Sequence, residues 1–252
     1  MTQPAVSVVI PAYNEASRLA PTLERVVDYF RGKRLALEIL VVDDGSTDIT
    51  ASVARAAEGP IKVIELGQNR GKGAAVRAGV RESRGGHILF TDADLSTPIE
   101  QWEPLRRKLD EGYDLVVGSR ALAESRIEIP QPWYRERMGK TFNWILRRVL
   151  PLALEDTQCG FKLFDAVVAK RLFTAARIDG FAFDAEILFL AKRFGYRVGE
   201  LPVPWFNSLP SRVHPLWHSA QMLRDLARIR FLAATGVYEP KGEKAQTVAG
   251  AE

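Results

Sequence analysis

The sequence predicts an α/β fold with a mostly parallel central sheet flanked by helices. Three observations predict it. Short β-branched apolar runs alternate with amphipathic helical stretches through the first 120 residues. The runs are apolar almost throughout, as strands covered on both faces are. They end in "PAYNE", "VDDGS", "TDADLS" and "GSR", mostly acidic or polar turns. In parallel sheets ligands gather beyond such carboxyl ends, so the chemistry is expected there.

The first run, "VSVVIPAYN" (6–14), stops at proline and asparagine, as a buried strand entering a turn does. A helix follows over 16–30, because Leu19, Leu23, Val26, Val27 and Phe30 fall on one face. "LEILVVDDGSTD" (37–48) repeats the plan of strand, acidic turn and then a helix through Ala57, with Ser46, Thr47 and Asp48 as capping types. "IKVIEL" (61–66) is a third strand and "GKGAAVRAGVRES" (71–83) a third helix. "HILFTDAD" (87–94) is the fourth strand, a helix covers 98–111, and "YDLVVGSR" (113–120) is the fifth strand. After residue 120 the alternation stops. Residues 121–154 hold the basic, aromatic stretch "PWYRERMGKTFNWILRRVL", and "DTQCGFKLF" (156–164) reads as a strand or hairpin. Helices over 165–175 and 182–194, a late strand "YRVGELPVPW" and a basic amphipathic helix over 215–232 complete a single domain spanning 1–238. The small, polar tail 239–252 is expected to be disordered.

At 252 residues the chain can bury one substantial core. The net charge of +4 and pI of 9.2 are too mild to argue for nucleic acid as a partner. A single cysteine, Cys159, excludes an internal disulfide framework and reads as a small buried residue. The N-terminus has no signal-peptide pattern, and no apolar stretch reaches the roughly 18 residues of a membrane span. The expected location is cytoplasmic. No feature of the sequence sets an oligomeric state.

Two acidic pairs stand out. Asp92 and Asp94 follow the fourth apolar run; two residues apart on a strand they point the same way, toward one ligand. Hard divalent cations such as Mg²⁺ and Mn²⁺ take oxygen ligands and bridge carboxylates to substrate phosphates. The competing explanation is a helix start, with Ser96 or Thr97 as cap and Pro98 in the first turn; it accounts poorly for Asp94 and hardly at all for Asp92. Asp43 and Asp44 end the second strand, where a carboxylate can accept N–H groups from a nucleobase. Two acidic clusters suggest a ligand with a base-like end and an anionic end reached through metal.

"VSVVIPAYNEA", "VVDDGSTD", "NRGKGAAVRAG", "TDADLSTP", "VVGSR" and "DTQCGFKLF", in this order, resemble a family 2 glycosyltransferase of the GT-A fold. The nearest branch is that of the dolichyl-phosphate β-glucosyltransferases, akin to other polyprenyl-phosphate sugar synthases. The resemblance implies inverting transfer from a nucleotide-diphosphate sugar, with 1–120 as the donor-binding half and 121–238 as the acceptor side. By position it assigns Pro11, Tyr13 and Glu15 to the donor-binding first loop, and Asp44, with Asp43, to base recognition. Gly71 and Lys72 fall in the next nucleotide loop, and Asp92 and Asp94 are the Asp-X-Asp motif that holds Mg²⁺ or Mn²⁺. A metal there neutralises charge growing on the leaving diphosphate.

A hydroxyl acceptor needs a general base, whereas a phosphate acceptor is already ionised and needs cations to hold it. Residues 120–148 favour the second case: arginine outnumbers acid there, and its planar fork binds phosphate oxygens two at a time. Arg120 and Arg135 match the acceptor-phosphate arginines of dolichyl-phosphate sugar synthases. Asp156 and Gln158 match further active-site positions, Asp156 being the remaining base candidate should the acceptor be a hydroxyl. Ser211 and Arg212 match a loop reaching the donor diphosphate, but Pro210 and Arg212 stand where the nearest relatives carry glycine and lysine. The stretches 133–150 and 215–232 mix Trp and Phe with Arg, which suits peripheral contact with a membrane surface.

The resemblance favours UDP-glucose as donor and a polyprenyl or dolichyl phosphate as acceptor. GDP-mannose, UDP-GlcNAc or a soluble hydroxyl acceptor are the alternatives, and a non-catalytic lipid- or partner-binding module is the alternative of another kind. The first turn lacks the glycines of a dinucleotide fold. "GQNRGKGA" imitates a P-loop with wrong spacing and no Ser/Thr.

Overall fold

In the computed structural model, which describes residues 3–129, 143–206 and 215–239, the chain alternates as expected up to residue 119. The strands are β1 (Val6–Ala12), β2 (Leu37–Asp43), β3 (Ile61–Glu65), β4 (His87–Thr91) and β5 (Leu115–Ser119). Between them run α1 (Ala16–Gly32), α2 (Thr50–Ala56), α3 (Lys72–Glu82) and, after a 3₁₀ turn at Ile99–Gln101, α4 (Trp102–Asp110). Beyond β5 come β6 (Arg126–Ile129), α5 (143–149 within the described residues), β7 (Phe161–Asp165), α6 (Ala166–Ala175), α7 (Phe183–Arg193), β8 (Val198–Pro202), β9 (Pro204–Phe206) and α8 (Pro215–Ala234).

The main sheet has seven strands in the order β3-β2-β1-β4-β7-β5-β8. All pairings are parallel except those of β7, which runs antiparallel to both β4 and β5. β7 therefore separates β4 from β5, and residues from beyond 120 sit in the middle of the sheet. β6 and β9 form a separate two-stranded parallel ribbon. The expected late strand is thus two strands, divided at Val203, whose N–H turns to Ser119 O.

Strand residues alternate between two cores. Val8, Ile10, Ile39, Val41 and Leu89 face α1, α2 and α4, whereas Val9, Leu40, Val42, Ile88 and Phe90 face α3, α6 and α7. Burial on both faces is why these strands are apolar at nearly every position. The apolar face expected on α1 is buried in full, from Leu19 to Phe30.

Three local expectations differ from the structure. β4 ends at Thr91, so Asp92 and Asp94 lie in the turn after the strand rather than on its face. Neither Ser96 nor Thr97 caps the next helix; the 3₁₀ turn begins after Pro98 without a side-chain cap, and Asp94 Oδ1 takes the Ser96 N–H at 3.0 Å. α2 starts after Ile49, which offers no side-chain cap; Ser46 and Thr47 tie the β1 and β2 loops together, while Asp48 accepts the Thr50 N–H on Oδ1 at 2.9 Å and the Ala16 N–H on Oδ2 at 3.3 Å.

Candidate active site

The loops after β1 and β2 are stapled to each other. Asn14, in the left-handed region at φ 56°, accepts the Thr47 N–H on its side-chain oxygen at 2.8 Å, and its own N–H goes to Ser46 Oγ at 2.9 Å. The Glu15 N–H goes to Thr50 Oγ1 at 2.8 Å. Pro11 is buried in β1 opposite Val42, and Tyr13 is exposed at the mouth. The third loop is fixed from beneath, Asp44 accepting the N–H groups of Arg70 at 2.8 Å and Gly71 at 2.9 Å. Burial raises the Asp44 pKa despite these bonds. Asp43 uses Oδ2 for the Ser46 N–H at 3.2 Å, while its buried Oδ1 has no hydrogen-bond partner among the described residues. Gly71 needs to be glycine: its φ is 105° and a Cβ there would lie 2.5 Å from Asp179 O.

The like charges of Asp92 and Asp94 are offset by two side chains from elsewhere. Lys72, the first residue of α3, places Nζ 2.7 Å from Asp92 Oδ1. Arg18, on α1, places Nη1 3.5 Å from Asp94 Oδ2 and also pairs with Glu15. Burial raises the Asp94 pKa, and the neighbouring Asp92 raises it further. Asp92 rests on the backbone of Gly160, where a Cβ would fall 2.0 Å from Asp92 Oδ2.

Deeper lies a buried pair. Lys162, opposite Phe90 in the β4–β7 ladder, reaches Asp184 Oδ1 at 2.5 Å. The ammoniums of Lys72 and Lys162 lie 5.3 and 5.7 Å from the centroid of the same Phe90 ring. Burial alone would lower the Lys72 pKa; Asp92 and Asp184 outweigh it and raise the pKa, keeping the ammonium charged.

On the other side of Asp92, Arg120 is clamped by Asp156 through Nε–Oδ2 at 2.6 Å and Nη2–Oδ1 at 2.9 Å, a bidentate fork. The Arg120 N–H adds a third bond at 3.0 Å, and the Gln158 N–H a fourth at 3.0 Å. Burial raises the Asp156 carboxyl, but the charge and hydrogen bonds of Arg120 prevail and lower its pKa to about 2. The guanidinium lies 5.7 Å from the Trp205 ring centroid.

The profile of glycosyl transferase family 2 matches residues 7–173. The dolichyl-phosphate beta-glucosyltransferase of Dictyostelium discoideum is 34% identical, the match covering 94% of this chain and 77% of that protein. The chain belongs to glycosyl transferase family 2. The Drosophila melanogaster protein of the same description is 36% identical, over 89% of this chain and 74% of its own length. Among solved structures, glucosyl-3-phosphoglycerate synthase from Mycobacterium tuberculosis in complex with Mn²⁺, UDP and glucosyl-3-phosphoglycerate superposes with a TM-score of 0.67 at 21% identity, over 90% of this chain and 80% of the other. Mannosyl-3-phosphoglycerate synthase from Rubrobacter xylanophilus gives 0.67 at 22% identity, over 93% and 76%. These likenesses establish a GT-A-like fold.

In this glycosyltransferase, Pro11, Tyr13, Glu15, Asp43, Asp44, Gly71, Lys72, Asp92 and Asp94 all fall at the carboxyl ends of β1, β2 and β4 or at the start of α3. Arg120, Asp156 and Gln158 form one hydrogen-bonded unit beside them. Arg135, Ser211 and Arg212 lie outside the described residues. Sequence reasoning missed Arg18, Gly160, Lys162 and Asp184. A lysine inside "FKLF" and an acid inside "FAFDAEILFL" were visible signals, since a charge in an otherwise buried run requires a partner.

Proposed function

We propose that this glycosyltransferase moves glucose from UDP-glucose to a polyprenyl phosphate of the dolichyl type, with inversion, at the cytoplasmic face of a membrane. The observation that carries the proposal is the pair Asp92–Asp94 facing Lys72 and Arg18, at the sheet edge where the three donor loops meet. The names of the curated relatives support glucose and dolichyl phosphate. Mn²⁺ and UDP in the solved neighbours' complexes support the donor and the metal.

The residues suit a divalent cation. Two carboxylates are too few for a closed metal cage, and no group of three or more His, Cys, Asp or Glu able to hold a metal occurs among the described residues. Such a pair fits Mg²⁺ or Mn²⁺, which share their coordination with diphosphate oxygens and water. The missing side chain at Gly160 leaves the space that the Asp92 carboxylate fills. Asp92 and Asp94 would hold the ion, which would supply positive charge against the departing diphosphate. Asp43 Oδ1, a buried acceptor without a partner among the described residues, suits an N–H such as that of a nucleobase; leaving such an acceptor unsatisfied costs about 1–3 kcal/mol.

Arg120 holds the acceptor phosphate, its orientation fixed by Asp156 and Trp205. An ionised phosphate oxygen attacks the anomeric carbon while the bond to the diphosphate breaks, and no proton has to be removed. A carboxylate held near a pKa of about 2 in a bidentate pair is a weak base, so Asp156 positions Arg120 rather than deprotonating an acceptor. Peripheral attachment is supported by Trp144, 60% exposed and stacked with Arg148 on α5, and by exposed Leu223 and Phe231 on the arginine-bearing α8. No helix among the described residues is long and apolar enough to cross a membrane.

The test incubates purified protein with labelled UDP-glucose, Mn²⁺ and either polyprenyl phosphate or soluble sugar alcohols. Label passing into a lipid-phosphate product is expected. Product only with the sugar alcohols overturns the acceptor, and product only when GDP-mannose or UDP-GlcNAc replaces UDP-glucose overturns the donor.

A further inference from the structure

We propose that Lys72 is a tethered cation that competes with the divalent ion for Asp92, so that metal and nucleotide diphosphate load together rather than metal first. This rests on the metal reading of Asp92 and Asp94.

At 2.7 Å the Lys72 ammonium occupies an oxygen of Asp92 that a hard cation would use. A divalent ion and an ammonium on one carboxylate repel each other, and more strongly where water is scarce. One of them must yield. The metal's other carboxylate, Asp94, has its own cation in Arg18 at the longer distance of 3.5 Å, so the tighter competition is at Asp92.

Lys72 is built to move. Its ammonium ends a flexible four-carbon stem, and the side chain is 23% exposed, whereas Lys162 beneath it is 1% exposed and fixed on Asp184. The base of the stem is held still. Gly73 presses on α7, where a Cβ would meet Phe183 Cβ at 2.6 Å, and the Gly71 N–H is held by Asp44. Asp184, the residue after Phe183, helps keep the ammonium charged. A diphosphate arriving at the start of α3 offers Lys72 a partner of higher negative charge in place of one carboxylate oxygen. The helix N-terminus favours the same anion. As Lys72 turns to the diphosphate, Asp92 is released to the metal. The two ligands thus assist each other, by equal factors in each direction.

The test measures Mn²⁺ affinity of the full chain by electron paramagnetic resonance, with and without UDP. Wild type is expected to bind Mn²⁺ at least about tenfold more tightly when UDP is present. Lys72→Met should bind Mn²⁺ alone about tenfold more tightly than wild type, bind UDP more weakly, and show less mutual assistance, only that from the direct metal–diphosphate bond remaining. Lys72→Arg, which keeps the charge, should retain it. A Lys72→Met variant whose affinity for Mn²⁺ alone is unchanged or weaker overturns the proposal. Asp92→Asn and Asp94→Asn separate this failure from a deeper one: if both bind Mn²⁺ as wild type does, the metal assignment itself is wrong.

Discussion

At the scale of single residues, the phosphate-holding role proposed for Arg120 depends on how Asp156 uses its oxygens. Asp156 spends its oxygens on the guanidinium and two backbone N–H groups, and its pKa drops from 3.8 to about 2. A depressed carboxylate stabilises the fold fully above its unfolded value, and that contribution fades as pH falls from about 4 through about 2. Asp156→Asn keeps the shape but leaves the Arg120 charge poorly matched. Breaking a buried pair costs about 3–5 kcal/mol, and the lower end applies because the Arg120 side chain is 30% exposed. Urea unfolding at pH 7 is expected to show a loss of about 3 kcal/mol, with the gap to wild type closing toward pH 2. A variant as stable as wild type at neutral pH would mean that Asp156 is not spent on Arg120. The acceptor site would then have a free base.

At the scale of elements, the β4–β7 register places the Asp92 carboxylate. The ladder pairs Thr91 with Phe161, and the Asp92 N–H continues it to Gly160 O at 3.2 Å. Asp92 thereby sits opposite the one residue type with no side chain to obstruct its carboxylate. Gly160→Ala puts a methyl group on the carboxylate without touching the core, so it should cut glucosyl transfer by about a hundredfold or more while costing only about 1–3 kcal/mol of stability. Activity within a fewfold of wild type would show that Asp92 has room to work from elsewhere. This register was not legible in the sequence. β1 to β5 and α1 to α4 could be read, because local apolar period and turn chemistry specify them, and the candidate site residues lie at their ends. The insertion of β7 between β4 and β5 depends on long-range pairing that no local pattern encodes. Arg18 and Asp94, or Lys162 and Asp184, likewise meet only once the chain has folded. The end of β4 and the helix caps were misjudged for a related reason: Ser46 and Thr47 bond to the β1 loop, and Asp94 bonds to the Ser96 N–H within its own turn.

At the scale of the whole molecule, the proposed donor site joins loops whose connections cross the sheet. The β1 loop is tied to the β2 loop through Asn14, the α3 start to β2 through Asp44, and Lys72 to the end of β4 through Asp92. A ligand that bridges these loops couples to the two cores packed on either side of β1, β2 and β4, so its binding should register as resistance to global unfolding rather than as local ordering alone. A ligand at about a hundred times its dissociation constant adds about 2.7 kcal/mol to a chain that binds it only when folded. For a domain of this size that corresponds to a rise of about 5–10 °C in Tm. UDP with Mn²⁺ is expected to give a rise of this order in a thermal-shift measurement. If Lys72 and the metal compete for Asp92, Mn²⁺ alone should give little, UDP alone less than half, and chelation should return the pair to the UDP value. A full rise with UDP in the presence of chelator would mean that Lys72 and Arg18 suffice to hold the diphosphate. The acidic pair would then serve to position those two cations rather than to bind a metal.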